Sequence, residues 1–548
     1  MERAARGRGP AGRAADAPDA SASRVVPASA AGPAESAAGA PASAGGRVAD
    51  DAAIPPPARV RARFAALEAA EGAEAAVRWL YEAERACGYI REEAVARNVC
   101  WESAAPCGML ELTINRAKPE KDPRAIAAAY EAERAAAPGP APAAREPRCD
   151  LCWENEGWPG SAAHPAKPGL RIVPVELGGE PWGLQFSPYA YFPEHCIVLA
   201  AEHRRMRVDA AAVARLLDFA DRFPFYFVGS NAGLPVVGGS ILCHDHYQGG
   251  RHVFPLMKAP VEQELALDGL PGVRAGVVRW PASVLRLAAS DRAPLLAAAA
   301  RVMAAWERFD DEAAGILART DAPHNAVSPI LRRLAPSAGW AGAGFPAEPG
   351  ASGAADAAAD AVDAPIYVLD LVLRNNHATP GRPFGLFHPD ESLFHIKKEN
   401  IGLIEVMGRA ILPGRLAREL PVVQRALWDA AAAGEAPDAL RARLAADPLA
   451  APHAPWAADV LARRRADLRA EAVAPGASAS TGVAASAPAE AAASDAPAAD
   501  LLAPVLRDEV AQVFHQVLQA TAVFKPDAAG RAARARLLAA LGARPARP

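Results

Sequence analysis

Between Leu170 and Pro255 six short β-prone runs follow one another, LRIVPVEL, PWGLQF, HCIVLA, PFYFVG, GGSIL and HVFPL, most of them bounded by Gly, Pro or a charge. That pattern predicts a largely antiparallel sheet. One helix interrupts it, with Asp209 as N-cap and Val213, Leu216, Leu217 and Ala220 on one face. A second strand and helix set follows, with IYVLDLVL at 366–373 and a helix from about Gly402. The fold class expected is α+β in two halves, the first over 58–334 and the second over 364–548.

Composition supports that division. A chain of 548 residues exceeds the usual ceiling for one hydrophobic core. Its hydrophobic share is 51%, but much of this is alanine in tracts and aromatics are only 6%, so the packable core is smaller than the length implies. Residues 1–57, 335–363 and about 470–498 are built from Ala, Pro, Ser and Gly and are expected to be disordered, the last two as surface insertions. From Ala58 to about Asn98, Phe64, Leu67, Val77, Leu80 and Tyr81 have the spacing of amphipathic helices in an appended unit.

The net charge of -4 leaves no electrostatic footprint for nucleic acid or an anionic membrane. No apolar run reaches the roughly 18 residues of a membrane span. Arg3, Arg6, Arg8 and Arg13 are not followed by an apolar stretch, which argues against a secretory signal and for a cytoplasmic protein. Seven cysteines do not fit a disulfide framework, and only Cys149 and Cys152 form a motif.

The most informative stretch is GSNAGLPVVGGSILCHDHYQGG at 229–250. It holds an apolar run between glycines and then His244, His246 and Gln248 at alternate positions. Residues two apart on a strand share a face, so three polar groups are expected together beside a glycine-rich backbone, as in an anion pocket. Imidazole suits a nucleophile because it is substantially neutral at pH 7 and a carbonyl can fix its other ring nitrogen. An isolated HxH pair, by contrast, is more often surface or metal-binding.

Gly238-Gly239-Ser240 followed by His244-x-His246-x-Gln248-Gly249-Gly250 resembles the active-site strand of the galactose-1-phosphate uridylyltransferases, in the form of their second, mainly bacterial class within the histidine-triad superfamily. CDLCWENEG at 149–157, EHCIV at 194–198 and IKKENIGLIEVMG at 396–408 also resemble that class, so the likeness covers most of residues 100–430 outside the Ala-rich tract. It implies two histidine-triad-like halves and an enzyme of galactose metabolism, the Leloir pathway, that moves UMP from UDP-glucose to galactose 1-phosphate. By the same resemblance His246 is the nucleophile of a ping-pong scheme. Gln248 stands where histidine-triad hydrolases carry a third histidine. A glutamine can donate a hydrogen bond to phosphate but cannot protonate a leaving group, which favours transfer over hydrolysis.

Asn231 and Ser240 fall near the family's uridine- and phosphate-binding positions, with a polar turn as the plainer alternative. Arg116 and Lys118, in ELTINRAKPEKDP, resemble a basic segment that contacts nucleotide phosphates, against solvated surface charge. For the sugar phosphate, a site often completed in relatives by the partner of a homodimer, the candidates are Asn325 in Pro323-His324-Asn325, Arg374 and Asn376 at a strand end, and Lys398 beside Lys397.

Cys149-x-x-Cys152 is half of a tetrahedral zinc site, and equally the pattern of a redox pair or of two core thiols. Relatives with zinc complete the site with the first histidine of the HxH pair, here His244, and a histidine after the preceding strand. The match for the latter is His203, with His195 as the alternative. Such a Zn²⁺ would be structural. A second metal site known in some relatives needs a histidine pair where this chain has Asp370 and Val372, and is expected to be absent.

Three rival readings remain: another histidine-triad nucleotidyltransferase or phosphorylase, a metal-dependent hydrolase ligated by both His244 and His246, and a nucleotide-binding protein in which His246 is idle.

Overall fold

The computed structural model describes residues 54–116, 128, 146–161, 164–239, 241–346, 364–474 and 501–546, and the backbone of 24–25. Its strands are β1 (Arg24–Val25), β2 (Val99–Ala105), β3 (Gly108–Asn115), β4 (Val173–Leu177), β5 (Glu180–Phe186), β6 (Cys196–Ala200), β7 (Phe227–Gly229), β8 (His246–Gly250), β9 (Val261–Leu267), β10 (Arg274–Val278), β11 (Val284–Ala289), β12 (Asn325–Leu334), β13 (Ile366–Asn375), β14 (Arg409–Pro413) and β15 (Ala543–Pro545). Together with the helices they make the α+β fold expected from the sequence.

Eleven strands form one sheet in the order β15-β9-β10-β11-β13-β12-β7-β8-β6-β5-β4, antiparallel at every step. The two halves are therefore fused through the β12–β7 ladder, in which Ile330 opposes Gly229 and Arg332 opposes Phe227. The boundary expected at 334 falls between β12 and β13, which pair along ten residues from Asn325↔Asn375 to Leu334↔Ile366. In the sheet the strands before residues 251–260 and those after them lie on opposite sides of the β7–β12 ladder. A smaller sheet, β1-β2-β3-β14, contains one parallel pair, β3 with β14.

One face of the large sheet is covered by the helices Pro57–Glu71, Ala73–Ala86, Ala210–Arg222 and Arg292–Glu307, whose Val60, Leu80, Val213 and Leu295 join its core. The helix Ala210–Arg222 starts as the sequence predicts, with the Asp209 carboxylate accepting from Ala212 N at 3.0 Å. Against the other face lie residues 401–412 and the helices Leu416–Ala433, Ala454–Ala472 and Pro504–Thr521. The functional cavity opens on this second side.

Two of the six β-prone runs are not strands. GGSIL is held off the ladder because its glycines pack into the preceding loop, where a Cβ on Gly238 would sit 2.1 Å from Ala232 O. In HVFPL, Pro255 has no N–H to give a ladder and instead opens the helical turn Pro255–Lys258. The composition predicts disorder from 335, but residues 336–346 form two helical turns, with Ala343 and Phe345 buried against Ala288, Ile366 and Val368. Residues 1–23, 26–53, 347–363 and 475–500, on which the remaining disorder expectations fall, lie outside the described residues.

Candidate active site

Strand alternation on β8 sets the site. Tyr247 turns into the core and stacks on Trp182 at 4.8 Å, while a Cβ on Gly249 would meet Phe227 O at 2.7 Å. His246 and Gln248 take the opposite face and line a cavity of ≈ 480 Å³ with Gln185, Ile197, Asn231 and Leu403. The row across the sheet is continuous, since Gln185 opposes Ile197 and Ile197 opposes Gln248. The size suits a nucleotide-like ligand.

His246 is buried, and its Nδ1 donates to His244 O at 2.8 Å. Burial, with His244 nearby adding to it, lowers its pKa to about 4. The ring is therefore neutral near pH 7, with its one proton on Nδ1 and a lone pair on Nε2. A neutral imidazole whose second nitrogen is pinned by a carbonyl is an activated, oriented nucleophile.

The strand begins only at His246, so His244, His246 and Gln248 do not share one face as the spacing suggested. His244 turns into a separate cluster with Cys149, Cys152 and His203, whose ligating atoms all lie within 4.8 Å of one another. Sγ of Cys149 is 3.6 Å from that of Cys152, 3.8 Å from His203 Nδ1 and 3.4 Å from His244 Nδ1. Cys152 Sγ lies 3.1 Å and 3.8 Å from the same two nitrogens. A tetrahedral zinc with bonds of about 2.0–2.3 Å has edges of roughly 3.3–3.8 Å, so the donor set fits. His244 Nε2 donates to Ala200 O at 2.9 Å, which leaves Nδ1 as the ligating atom. A hydrogen bond from Cys149 holds the Cys152 thiol well below its ordinary pKa, favouring the thiolate that a metal takes.

His195 is not in this cluster. Its Nε2 lies 3.1 Å from Gln248 Oε1, and of the two candidate histidines it is His203 that the fold groups with the cysteines. His246 is outside the cluster too, so the reading in which His244 and His246 ligate one metal is not supported.

The other expected binding residues divide. Asn231 does line the cavity, and its Oδ1 accepts from Leu403 N at 2.8 Å, joining the glycine loop to the helical turn Leu403–Val406. A Cβ on Gly239 would sit 2.7 Å from Asn231 Nδ2, so a larger residue there would displace the Asn231 amide. Ser240 and Lys118 lie outside the described residues. Arg116 is exposed at the end of β3, away from the cavity lining.

Asn325 is spent on structure: its Nδ2 donates to Trp306 O and Phe309 O, and its Oδ1 accepts from Asn375. Asn376 likewise pairs with His324 Nδ1 at 2.9 Å. Arg374 is buried, with its Nη2 donating to Ile401 O, and burial lowers its pKa to about 10. It stands behind the cavity wall, not on it. Lys398 lines a second groove with His395, Arg415 and Trp456.

Sequence reasoning missed Glu399, Asn400 and Glu405, all on the cavity wall. The buried Lys397 ammonium holds both carboxylates, Glu399 at 2.8 Å and Glu405 at 2.6 Å. The signal was present in IKKENIGLIEVMG, where a buried lysine within an apolar run requires acidic partners.

A pinned, neutral histidine on the floor of a nucleotide-sized cavity is an arrangement suited to nucleophilic catalysis. The family model "Galactose-1-phosphate uridyl transferase, N-terminal domain" matches residues 23–205. A galactose-1-phosphate uridylyltransferase of Bacillus subtilis (strain 168) is 40% identical over 493 residues, 90% of this chain and 81% of that protein. One from Lactiplantibacillus plantarum is 39% identical over 469 residues, 85% and 79% of the two chains. One from Halalkalibacterium halodurans is 46% identical over 358 residues, 65% of this chain and 63% of its own. The chain belongs to the galactose-1-phosphate uridylyltransferase family. A crystal structure of yeast Ap4A phosphorylase Apa2 matches with a TM-score of 0.28 and 13% identity, covering 59% of this chain and 85% of its own, and carries no argument.

Proposed function

We propose that the chain transfers UMP from UDP-glucose to galactose 1-phosphate through a covalent intermediate on His246. The observation that carries this reading is the His246 ring, neutral, with Nδ1 pinned to His244 O and facing the cavity beside Gln248. The Nε2 lone pair attacks the α-phosphorus, a phosphorus–nitrogen bond forms, and the bond to the bridging oxygen breaks to release glucose 1-phosphate. A phosphate oxygen of galactose 1-phosphate then attacks the same phosphorus and takes the uridylyl group, and His246 is restored. Because the phosphate's second pKa is near ~6, both leaving group and acceptor react without a strong acid or base. Gln248 serves as a hydrogen-bond donor to the phosphate, and Asn231 lines the same cavity.

Cys149, Cys152, His203 and His244 would hold a zinc ion. Bound there it supplies rigidity, fixing the segment whose carbonyl orients His246, with no part in bond making. The seven cysteines, all among the described residues, form no disulfide, and a cytoplasmic location is the expected one. Among the described residues no helix is long and apolar enough to cross a membrane. A homodimer is the expected assembly.

The test is the intact mass of the protein after incubation with UDP-glucose alone. One uridylyl adduct, discharged by galactose 1-phosphate and absent from His246→Gly, is expected. UDP-glucose binding with no adduct on the wild type would overturn the reading.

A further inference from the structure

His195 is 2% exposed and faces the cavity from the entrance of β6. Strand alternation puts it there: Cys196, Val198 and Ala200 turn into the helix-covered core, while Ile197 lines the cavity and opposes Gln248. His195 shares the parity of Ile197. The backbone just before it is unusual, because Glu194 has φ 54, a left-handed conformation for a residue with a Cβ. That turn is anchored on two sides. Tyr226 Oη donates to Glu194 Oε2 at 2.5 Å, and Arg251 Nε reaches the same carboxylate at 3.3 Å. Opposite it, a Cβ on Gly250 would lie 2.6 Å from Glu194 O, so the end of β8 admits only glycine.

The imidazole itself is clamped. Its ring lies 5.3 Å from that of Tyr191 and 4.4 Å from that of Phe192, and its Nε2 is 3.1 Å from Gln248 Oε1. Its Nδ1 is buried without a hydrogen-bond partner. A proton on Nδ1 would thus be an orphaned donor, which folded proteins rarely leave, whereas a proton on Nε2 is taken up by the glutamine carbonyl. Burial lowers the ring's pKa to about 4, so it carries one proton only. The tautomer fixes the amide. With Oε1 accepting from the histidine, the NH₂ group is the end of Gln248 left for the cavity.

We propose that His195 is a positioning residue, whose Nε2–H turns the Gln248 amide so that its NH₂, not its carbonyl, meets the phosphate of the nucleotide sugar. This rests on the reading that His246 attacks phosphorus in that cavity. A freely rotating amide would present its carbonyl oxygen to an anion for part of the time, losing a donor and adding a repulsion. His195 touches no reacting atom and acts only through Gln248.

The test is a double-mutant cycle on the full-length protein, measuring the single-turnover rate of uridylyl adduct formation from UDP-glucose, with UDP-glucose affinity and thermal melting alongside. His195→Phe keeps a ring and removes the donor. It is expected to slow adduct formation about 10- to 100-fold, with affinity changed less than about 3-fold. In a Gln248→Ala background the same substitution is expected to change the rate less than about 2-fold, because the residue acted upon is gone. His195→Gln, which retains an N–H donor, is expected to recover part of the rate and serves as the second variant if the phenylalanine folds poorly. Equal losses in both backgrounds, or a His195→Phe rate near wild type, would overturn the proposal. No adduct on the wild type would instead sink the underlying reading of His246, and the proposal with it.

Discussion

One cross-strand row runs through both halves of the large sheet: Arg286 opposes Asp370, Asp370 opposes Ile330, Ile330 opposes Gly229, and Gly229 opposes Gln248. Asp370 and Gln248, near its two ends, are roughly 14 Å apart, three strand spacings. The two ends treat buried polar groups in opposite ways. At the Asp370 end the groups are charged and saturated: Arg286 gives two hydrogen bonds to the carboxylate and Arg332 a third, with Arg286 and Asp370 fully buried. At the Gln248 end they are neutral, and His246 keeps a lone pair on the side of the cavity. A closed network contributes geometry and no reactivity. Leaving one lone pair unmet gives the same kind of surface the means to react, as proposed for His246.

Four measurements would break or sharpen that comparison. The largest effect is expected for His246→Gly, which should abolish the uridylyl adduct and lower transfer by at least about 10⁴-fold, read by mass and steady-state assay, while the melting temperature stays within a few degrees. The converse holds for Asp370→Ala, which strands two buried guanidiniums and should cost about 3–5 kcal/mol in denaturant unfolding, with the folded fraction still forming adduct. Should Asp370→Ala lose adduct formation without losing stability, the division between the two ends is wrong.

Next, metal analysis is expected to find about one zinc per chain and Cys152→Ser to lose it. The variant should melt at lower temperature even where residual adduct formation survives. The smallest effect is in acid. Burial alone would raise the Asp370 pKa, but Arg286 and Arg332 overcome it and hold the carboxyl below its ordinary value. A depressed folded pKa contributes stability that is present above the unfolded pKa of about 3.9 and is lost as pH falls through the folded value. Unfolding free energy should therefore fall below about pH 4, with a shallower slope in Asp370→Asn.

Sequence periodicity carried the N-terminal end of this row well. Four of six β-prone runs are strands, and the Asp209 cap is where its side chain chemistry puts it. His246, Gln248 and the Cys149, Cys152, His203, His244 cluster were legible because each depends on spacing within a few residues or on one recognisable motif. GGSIL failed because an apolar run reads as a strand, whereas glycine contacts with Ala232 and Asn231, made in space, decide its path. Arg374, Asn325 and Asn376 lie off the cavity lining for a related reason. Polar residues at a strand end satisfy backbone carbonyls as readily as ligands, and which they do depends on the Trp306–Phe309 turn and on Ile401, remote in sequence. The fusion of the two halves was illegible because the ladder between β7 and β12 joins residues about a hundred positions apart.

β15, only three residues long, pairs with β9 at the margin of the sheet, Ala543 opposite Leu267 and Pro545 opposite Leu265. During synthesis β9 emerges almost three hundred residues before its cover. Over that interval its outward N–H and C=O groups are unpaired, a template on which a strand from another nascent chain can add. Shortening the chain by a few residues at 543 would make that transient edge permanent, so yield and solubility should respond to such a cut even though residues 543–545 do not line the cavity.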